Sequence, residues 1–115
     1  MAKFMLIFRG GAVVDKALSP AERRAQVGKW GEWSKALATS GNYLPGGAPL
    51  AIEGALLRGA EREVSEGFPA DSHLVTGTYF LDAPSLAAAA ELAKGCPILD
   101  LDGSVEVRPL LERPQ

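Results

Sequence analysis

The sequence predicts an α+β protein of ferredoxin-like topology, in the order strand, long helix, strand, strand, helix, strand. Three observations support this. An apolar run of strand length opens the chain, two segments carry the start and stop signals of helices, and a second apolar strand lies between them. The 115 residues are enough for one domain with its own core, and we expect a single domain over residues 1–115.

The first strand is predicted from Lys3 to Arg9, KFMLIFR, and Gly10-Gly11 ends it. Its apolar side chains do not alternate with polar ones, which is typical of a strand covered on both faces. Arg9 has two interpretations. Its planar guanidinium is suited to bind a ligand carboxylate, or it simply ends the strand in water.

The first helix has clear ends. Ser19 and Glu22 form a capping box, Pro20 suits the first helical position, and Gly41 closes the helix. The inward stripe is expected to comprise Val27, Trp30, Trp33 or Ser34, and Leu37.

Two glycines and two tryptophans distinguish the middle of this helix. Gly28 and Gly31 each cost about 1 kcal/mol relative to alanine, which suggests a close neighbour. Trp30 and Trp33, together with Tyr79, are candidates to line an aromatic pocket for a ring-shaped ligand. Core packing is the alternative for at least one tryptophan.

Residues 42–65 are predicted as an irregular edge strand or hairpin, because Pro45, Gly46, Gly47 and Pro49 interrupt the pattern. Strand-like pieces remain at Leu50–Ile52, Ala55–Arg58 and Glu63–Ser65.

A central strand is predicted from His73 to Asp82, where β-branched and aromatic residues face both sides and Gly77 leaves space. The second helix then follows Ala83-Pro84-Ser85, with Pro84 in its first turn. Gly95 is expected to end it as a left-handed cap.

The last strand is predicted from Ser104 to Leu111, where Val105 and Val107 alternate with charged residues. One wet face suggests an edge strand. The tail from Glu112 to Gln115 is expected to fray.

Composition excludes several classes of protein. With 47% hydrophobic residues and a formal charge of −2, the chain is neither disordered nor a nucleic-acid binder. Its lone cysteine, Cys96, excludes an internal disulfide and a cysteine-based zinc site, which favours a reducing cytoplasm. The apolar opening is too short for a membrane span and has no export signal. We find no metal-spaced ligand set and no cofactor motif.

The apolar strands also predict a partner. Both helices of this topology cover the same face of the sheet, yet the strands are apolar on both sides. A second copy of the chain is the simplest cover, so we expect a homodimer. The alternative is a monomer with a partly apolar open sheet.

Several motifs resemble those of YCII-related proteins. Glu66-Gly67-Phe68-Pro69 is similar to the Asp-Gly-Pro-Phe motif that names one branch of this family, with Glu in place of Asp and the Phe and Pro exchanged. Further similar segments are Lys29-Trp30-Gly31-Glu32-Trp33, Gly46-Gly47 with Pro49-Leu50, Leu92-Ala93-Lys94-Gly95-Cys96-Pro97 and Gly103-Ser104-Val105-Glu106-Val107-Arg108-Pro109. They cover nearly the whole chain.

The resemblance implies a dimeric α+β barrel, in which two ferredoxin-like sheets pack face to face with a cleft beside the helices. Some relatives look like dehydrochlorinases or isomerases that act on small ring compounds through a His-Asp pair. Other relatives occur alongside sigma factors.

The polar loop before the central strand is the best candidate for chemistry. His73 is the only histidine, the residue type suited to proton transfer near neutral pH, and Asp71 lies close enough in sequence to orient it. Glu66 is a second candidate acid. In the alternative interpretation the histidine is merely solvated, and Gly67 and Pro69 form a turn anchored by Phe68.

Two functions therefore stay open. One is a cofactor-independent isomerase or lyase in which His73, with Asp71 or Glu66, moves a proton. The other is a non-catalytic ligand-binding or regulatory module. In both, the ligand is a small molecule, aromatic or anionic, and the binding candidates are Arg9, Trp30, Phe68 and Tyr79.

Overall fold

A computed structural model describes residues 1–112 of the chain. Residues 113–115, which hold most of the tail predicted to fray, lie outside the described part. The sheet and hairpin strands are β1 (Ala2–Arg9), β2 (Tyr43–Pro49), β3 (Ala55–Arg58), β4 (Glu63–Glu66), β5 (Val75–Ala83) and β6 (Ser104–Pro109). The helices are α1 (Pro20–Thr39) and α2 (Leu86–Ala93), and a 3₁₀ turn follows at Pro97–Asp100.

The ferredoxin-like prediction is confirmed. Four strands form an antiparallel sheet in the order β2-β5-β1-β6, so the first and third long strands are central. The hairpin of β3 and β4 is a separate two-stranded sheet, inserted between the second and third strands of the main sheet.

One predicted strand is absent, and two predicted strand boundaries are wrong by two residues. Leu50–Ile52 is not a strand, because the chain leaves the sheet edge once the Leu50 N–H has bonded to the Thr76 carbonyl. The central strand begins at Val75, two residues later than predicted, because the Leu74 N–H closes a turn on the Asp71 carbonyl. The last strand ends at Pro109 rather than Leu111.

The ends of α1 are as predicted. The Ser19 hydroxyl accepts from the Glu22 N–H at 3.1 Å, and the Glu22 carboxylate accepts from the Ser19 N–H at 3.0 Å. Gly41 follows the helix with a φ of +78°, the left-handed conformation that glycine adopts readily.

The ends of α2 differ from the prediction. Ser85 is the N-cap and its hydroxyl accepts from the Ala88 N–H at 3.1 Å, so Pro84 precedes the helix instead of occupying its first turn. Gly95 is not left-handed. It is close to the core, since a Cβ there would lie 2.9 Å from Cδ1 of Trp33.

The predicted inward face of α1 is correct in part. Val27 is 72% exposed and Gln26 is buried in its place, while Trp33 and Leu37 are buried as predicted. Gly28 and Gly31 are exposed, and a Cβ on either would meet nothing within 4 Å. The prediction of a close neighbour is therefore wrong within a single chain, because the glycine positions of α1 face open space.

The core lies between the sheet and its two helices. Alternate residues of β1, namely Phe4, Leu6 and Phe8, point toward the helices and are buried. Cys96 is buried in the same cluster, and burial raises the pKa of its thiol to about 12. It is thus a protonated core residue.

The opposite side of the sheet, which we call the open face, carries Met5 and Ile7 of β1, Leu44 of β2 and Phe80 of β5. All four are half-buried, and none belongs to either hydrophobic core cluster. A second apolar surface therefore backs the sheet, as the sequence predicted.

Candidate functional site

A cavity of about 460 Å³ lies between the N-terminal half of α1, the loop after β1 and strands β2 and β5. We call it the aromatic cavity because the rings of Phe8, Trp30 and Tyr79 line it. Its polar side chains include Arg23 and Gln26 of α1. The rest of the wall is formed by Gly10, Gly11, Ala12, Val13, Val27, Ala48, Pro49, Thr76, Gly77, Thr78, Ile98 and Leu101.

The three rings meet edge to face. The Phe8 centroid lies 4.9 Å from that of Trp30 and 5.3 Å from that of Tyr79, and the Trp30 and Tyr79 centroids are 5.8 Å apart. Such arrangements are favourable beyond the area that they bury. They fix the ring orientations and so give the cavity a defined aromatic wall.

Trp33 supports this wall from behind. Its ring stacks on Tyr79 at 5.5 Å with an interplanar angle of 7°, and its indole N–H donates to the Leu92 carbonyl at 3.2 Å. The Tyr79 hydroxyl in turn lies 2.7 Å from Ser34 Oγ. Trp33 is therefore the tryptophan used in core packing, whereas Trp30 and Tyr79 reach the cavity.

Most polar groups of this wall already have partners. The Thr76 hydroxyl donates to the Gly10 carbonyl at 2.8 Å. The Arg23 guanidinium donates to the carbonyls of Ala12 and Asp15, which ties the loop after β1 to the helix. Gln26 is different, because its Oε1 is buried without a hydrogen-bond partner among the described residues.

The sequence did not single out Arg23 or Gln26. A signal for Gln26 was present, since the positions 26, 30, 33 and 37 follow the four-three-four spacing of one helix face. Val27 was preferred there because it is apolar.

A second cavity, of about 630 Å³, lies where the chain returns from the hairpin to β5. We call it the histidine cavity, because His73, Asp71 and Phe68 line it together with Leu50, Ala51, Glu53, Pro69, Leu74 and Val75. It is separate from the aromatic cavity, since the two have no lining residue in common.

The predicted His-Asp pair has its own geometry here. Asp71 Oδ1 accepts a hydrogen bond of 2.9 Å from the backbone N–H of His73, so the carboxylate stabilises the turn through the main chain. The His73 side chain is exposed. Glu66 is the last residue of β4, paired with Ala55 and exposed, and it does not line the histidine cavity.

Phe68 has a packing role as well. Its ring lies against Gly54, where a Cβ would come within 2.3 Å of Cε2 of that ring. Phe68 thereby closes the base of the hairpin while part of it lines the histidine cavity.

Arg9 reaches neither cavity. Its Nη1 lies 2.8 Å from Glu106 Oε1, and Arg108 Nη1 lies 2.9 Å from Glu106 Oε2. Hydrogen bonds from Arg108 and then Arg9 hold the pKa of the Glu106 carboxyl below its ordinary value. Arg9 is therefore part of a charged network between β1 and β6, and its role in binding a ligand carboxylate stays a prediction.

Two general properties bear on the kind of site. Within residues 1–112, no three histidine, cysteine, aspartate or glutamate side chains gather closely enough to hold a metal ion. Neither α1 nor α2 combines the length and apolarity needed to cross a bilayer.

Fold and site together define a ferredoxin-like α+β protein with an aromatic cavity between a helix and the sheet. The family model described as YCII-related domain matches residues 5–113, and the chain belongs to this family. Comparison with curated proteins gave no match.

Proposed function

We propose that this protein is a homodimer that binds a small, flat and largely apolar molecule, such as an aromatic ring compound, in the aromatic cavity. The observation that carries the proposal is the wall of three edge-to-face rings around about 460 Å³ of space. That volume is in the range of known ligand sites, which are mostly apolar with few polar groups.

The residues of the cavity favour binding over acid-base chemistry. Its wall contains no histidine, cysteine, aspartate or glutamate, and its ionisable residues are Arg23 and Tyr79. Nη1 and Nη2 of Arg23 each donate to a backbone carbonyl, and the hydroxyl of Tyr79 bonds to Ser34. A general base able to take a proton from a bound molecule is thus lacking from this wall.

The open face supports a second copy of the chain as partner. Met5, Ile7, Leu44 and Phe80 form an apolar surface that a two-fold axis would pair with itself, and covering it removes that surface from water. The charged network around Glu106 borders this surface, as polar rims border many interfaces.

The hairpin of β3 and β4 gives a second argument for a partner. Leu57 and Val64 face each other across its strands and are 60% and 62% exposed. The Cα radius of gyration is 15.7 Å, whereas a compact domain of this size has about 13 Å. An arm that extends from the body with apolar residues uncovered is suited to contact a second copy.

Thermal-shift screening with aromatic fragments tests the binding proposal, because a ligand that binds only the folded state raises the melting temperature. We expect stabilising fragments that remain chemically unchanged after long incubation. Trp30→Ala removes one wall of the aromatic cavity and is expected to abolish the shift. Phe68→Ala, which lies outside the aromatic cavity, is the control and is expected to retain the shift. Because the Phe68 ring also packs on Gly54, the shift of each variant is measured from that variant's own melting temperature without ligand.

The reverse pattern, with loss in Phe68→Ala and retention in Trp30→Ala, would assign the ligand to the histidine cavity. Absence of any stabilising fragment in a broad aromatic set would refute the proposal. Sedimentation velocity at several concentrations tests the dimer, and a monomer at every concentration would contradict it.

A second function, a cofactor-independent isomerase or lyase, is favoured by the gathering of His73, Asp71 and Phe68 on the histidine cavity. In an isomerisation the imidazole would take a proton from one carbon of the substrate and return it to another, so no cofactor is needed. Small aromatic acids and lactones are the substrates to screen. Turnover in the wild type that disappears in His73→Ala would support it, and equal turnover in both would remove His73 from the mechanism.

We place this dimer in the cytoplasm. The support is Cys96, a lone thiol kept protonated in the core, which is compatible with a reducing compartment.

A further inference from the structure

Gln26 lies on α1 where its side chain turns toward the sheet, and it is only 7% exposed. Its Oε1 is enclosed and accepts no hydrogen bond from the described residues. Buried polar side-chain atoms nearly always have a partner, so an orphan on the wall of a cavity needs an explanation.

The surroundings do not supply the missing partner. Arg23, one turn away, donates through Nη1 and Nη2 to carbonyls of the loop after β1 and makes no hydrogen bond to Gln26. The Thr76 hydroxyl is used by Gly10, and the Tyr79 hydroxyl by Ser34. Among the described residues, Gln26 is therefore a polar side chain on the wall of the aromatic cavity whose buried acceptor oxygen has no partner.

The chemistry of an amide defines what would satisfy it. A glutamine side chain offers one acceptor oxygen and two N–H donors, and a half-turn about its last torsion exchanges them in nearly the same space. A ligand hydroxyl, which both donates and accepts, fits either orientation. A carboxylate is a poorer match for the orphaned oxygen, since an ionised carboxylate only accepts hydrogen bonds and cannot donate one to Oε1.

We infer that Gln26 is the specificity-determining residue of the aromatic cavity, and that the ligand is a neutral ring compound that carries a hydroxyl group. The rings of Phe8, Trp30 and Tyr79 contact the apolar body of the ligand, and the Gln26 amide hydrogen-bonds its hydroxyl. This inference rests on the proposed function, because it requires that the cavity binds a ring compound at all.

Three probes of one shape test it: 4-methylphenol, toluene and 4-methylbenzoate. Binding is measured by titration followed through tryptophan fluorescence or NMR. Wild type is expected to bind 4-methylphenol about tenfold more tightly than toluene, because one neutral hydrogen bond in an apolar cavity changes the dissociation constant by about this factor. It is expected to bind 4-methylbenzoate more weakly than 4-methylphenol. Gln26→Leu is expected to bind 4-methylphenol and toluene equally.

Gln26→Leu also has a readout without ligand. Replacement of an orphaned buried amide by an apolar side chain of similar size is expected to raise the melting temperature of the free protein. Gln26→Met serves the same purpose if the branched side chain does not fit. A lower melting temperature in both variants would show that the amide has a structural partner and would overturn the inference.

The binding results distinguish the role of Gln26 from that of the cavity. If wild type binds toluene and 4-methylphenol equally, and Trp30→Ala weakens both, the role of Gln26 is refuted while the cavity stands as the binding site. If 4-methylbenzoate binds best, the ligand is anionic and the inference also fails. If none of the three probes binds wild type, the aromatic cavity does not take ring compounds and both proposals fall.

Discussion

Alanine in place of glycine is expected to have opposite effects at two positions, Gly47 and Gly28. A Cβ on Gly47 of β2 would lie 2.3 Å from the Thr78 carbonyl oxygen and 2.6 Å from the Tyr79 Cα. Both are backbone atoms of the central strand β5, so β2 itself must move by about 1 Å to restore ordinary contact. We expect Gly47→Ala to lower the free energy of unfolding by about 3 kcal/mol, the upper end of the overpacking range.

Gly28 provides the matched control. It lies in the interior of α1, is exposed and has no atom within 4 Å of the Cβ position. Gly28→Ala should therefore gain only helix propensity and stabilise the protein by about 1 kcal/mol. Urea unfolding followed by circular dichroism gives both free energies of unfolding, and an unchanged m-value confirms that the compactness of both states is retained.

Two results would refute this reasoning. Wild-type stability in Gly47→Ala would mean that β2 moves freely away from β5, so that the edge of the aromatic cavity is not fixed by this contact. A loss of stability in Gly28→Ala would mean that another molecule packs on this face of α1.

Three further predictions concern charge, association and the buried thiol. Two arginines hold the folded-state pKa of Glu106 below its ordinary value of 4.5, so their stabilisation is present above about pH 4.5 and is lost as pH falls through the lower folded-state value. In urea midpoints measured from about pH 3 to 7, Glu106→Gln is therefore expected to flatten the acid side of the profile, and an unchanged slope would contradict this. Phe80→Glu places a charge on the open face and is expected to give monomers in sedimentation velocity. Leu86→Glu, at an exposed position of α2, is the control and is expected to leave the dimer intact. A dimeric Phe80→Glu protein would exclude the open face as the interface. With a thiol pKa of about 12, Cys96 is expected to resist iodoacetamide at neutral pH until urea unfolds the chain, and rapid labelling of native protein would refute its burial.

The sequence predicted the elements whose signals are local. The capping box of Ser19 and Glu22 and the glycine after α1 act within a few residues, so their chemistry is visible in the printed chain. The topology followed from the order of such elements, since short connections and sheet handedness leave few alternatives. Pro45, Gly46, Gly47 and Pro49, which interrupt the sequence pattern, lie in edge strand β2, and the hairpin follows at Ala55–Arg58 and Glu63–Glu66.

The site was harder to predict because it depends on register and on the angle of a helix. Arg9 meets Glu106 only because β1 and β6 pair with Ile7 opposite Glu106, and no local pattern fixes that pairing. Gln26 lines the cavity beside the N-terminal half of α1, and helical spacing alone does not reveal a cavity. His73 was favoured for its chemistry, but where its imidazole points depends on the Asp71 turn.

Alternation along β5 separates the two parts of the proposed function. Tyr79 faces the aromatic cavity and its neighbour Phe80 faces the open face, so consecutive residues serve the ligand and the partner. A charge at Phe80 therefore disrupts association without removing any ring from the cavity. If monomeric Phe80→Glu binds aromatic fragments as wild type does, the cavity is complete within one chain. If binding is lost although the fold is retained, the rings are held in place only when a second copy packs against the open face. Dimerisation and ligand binding would then be coupled, each strengthening the other by the same factor.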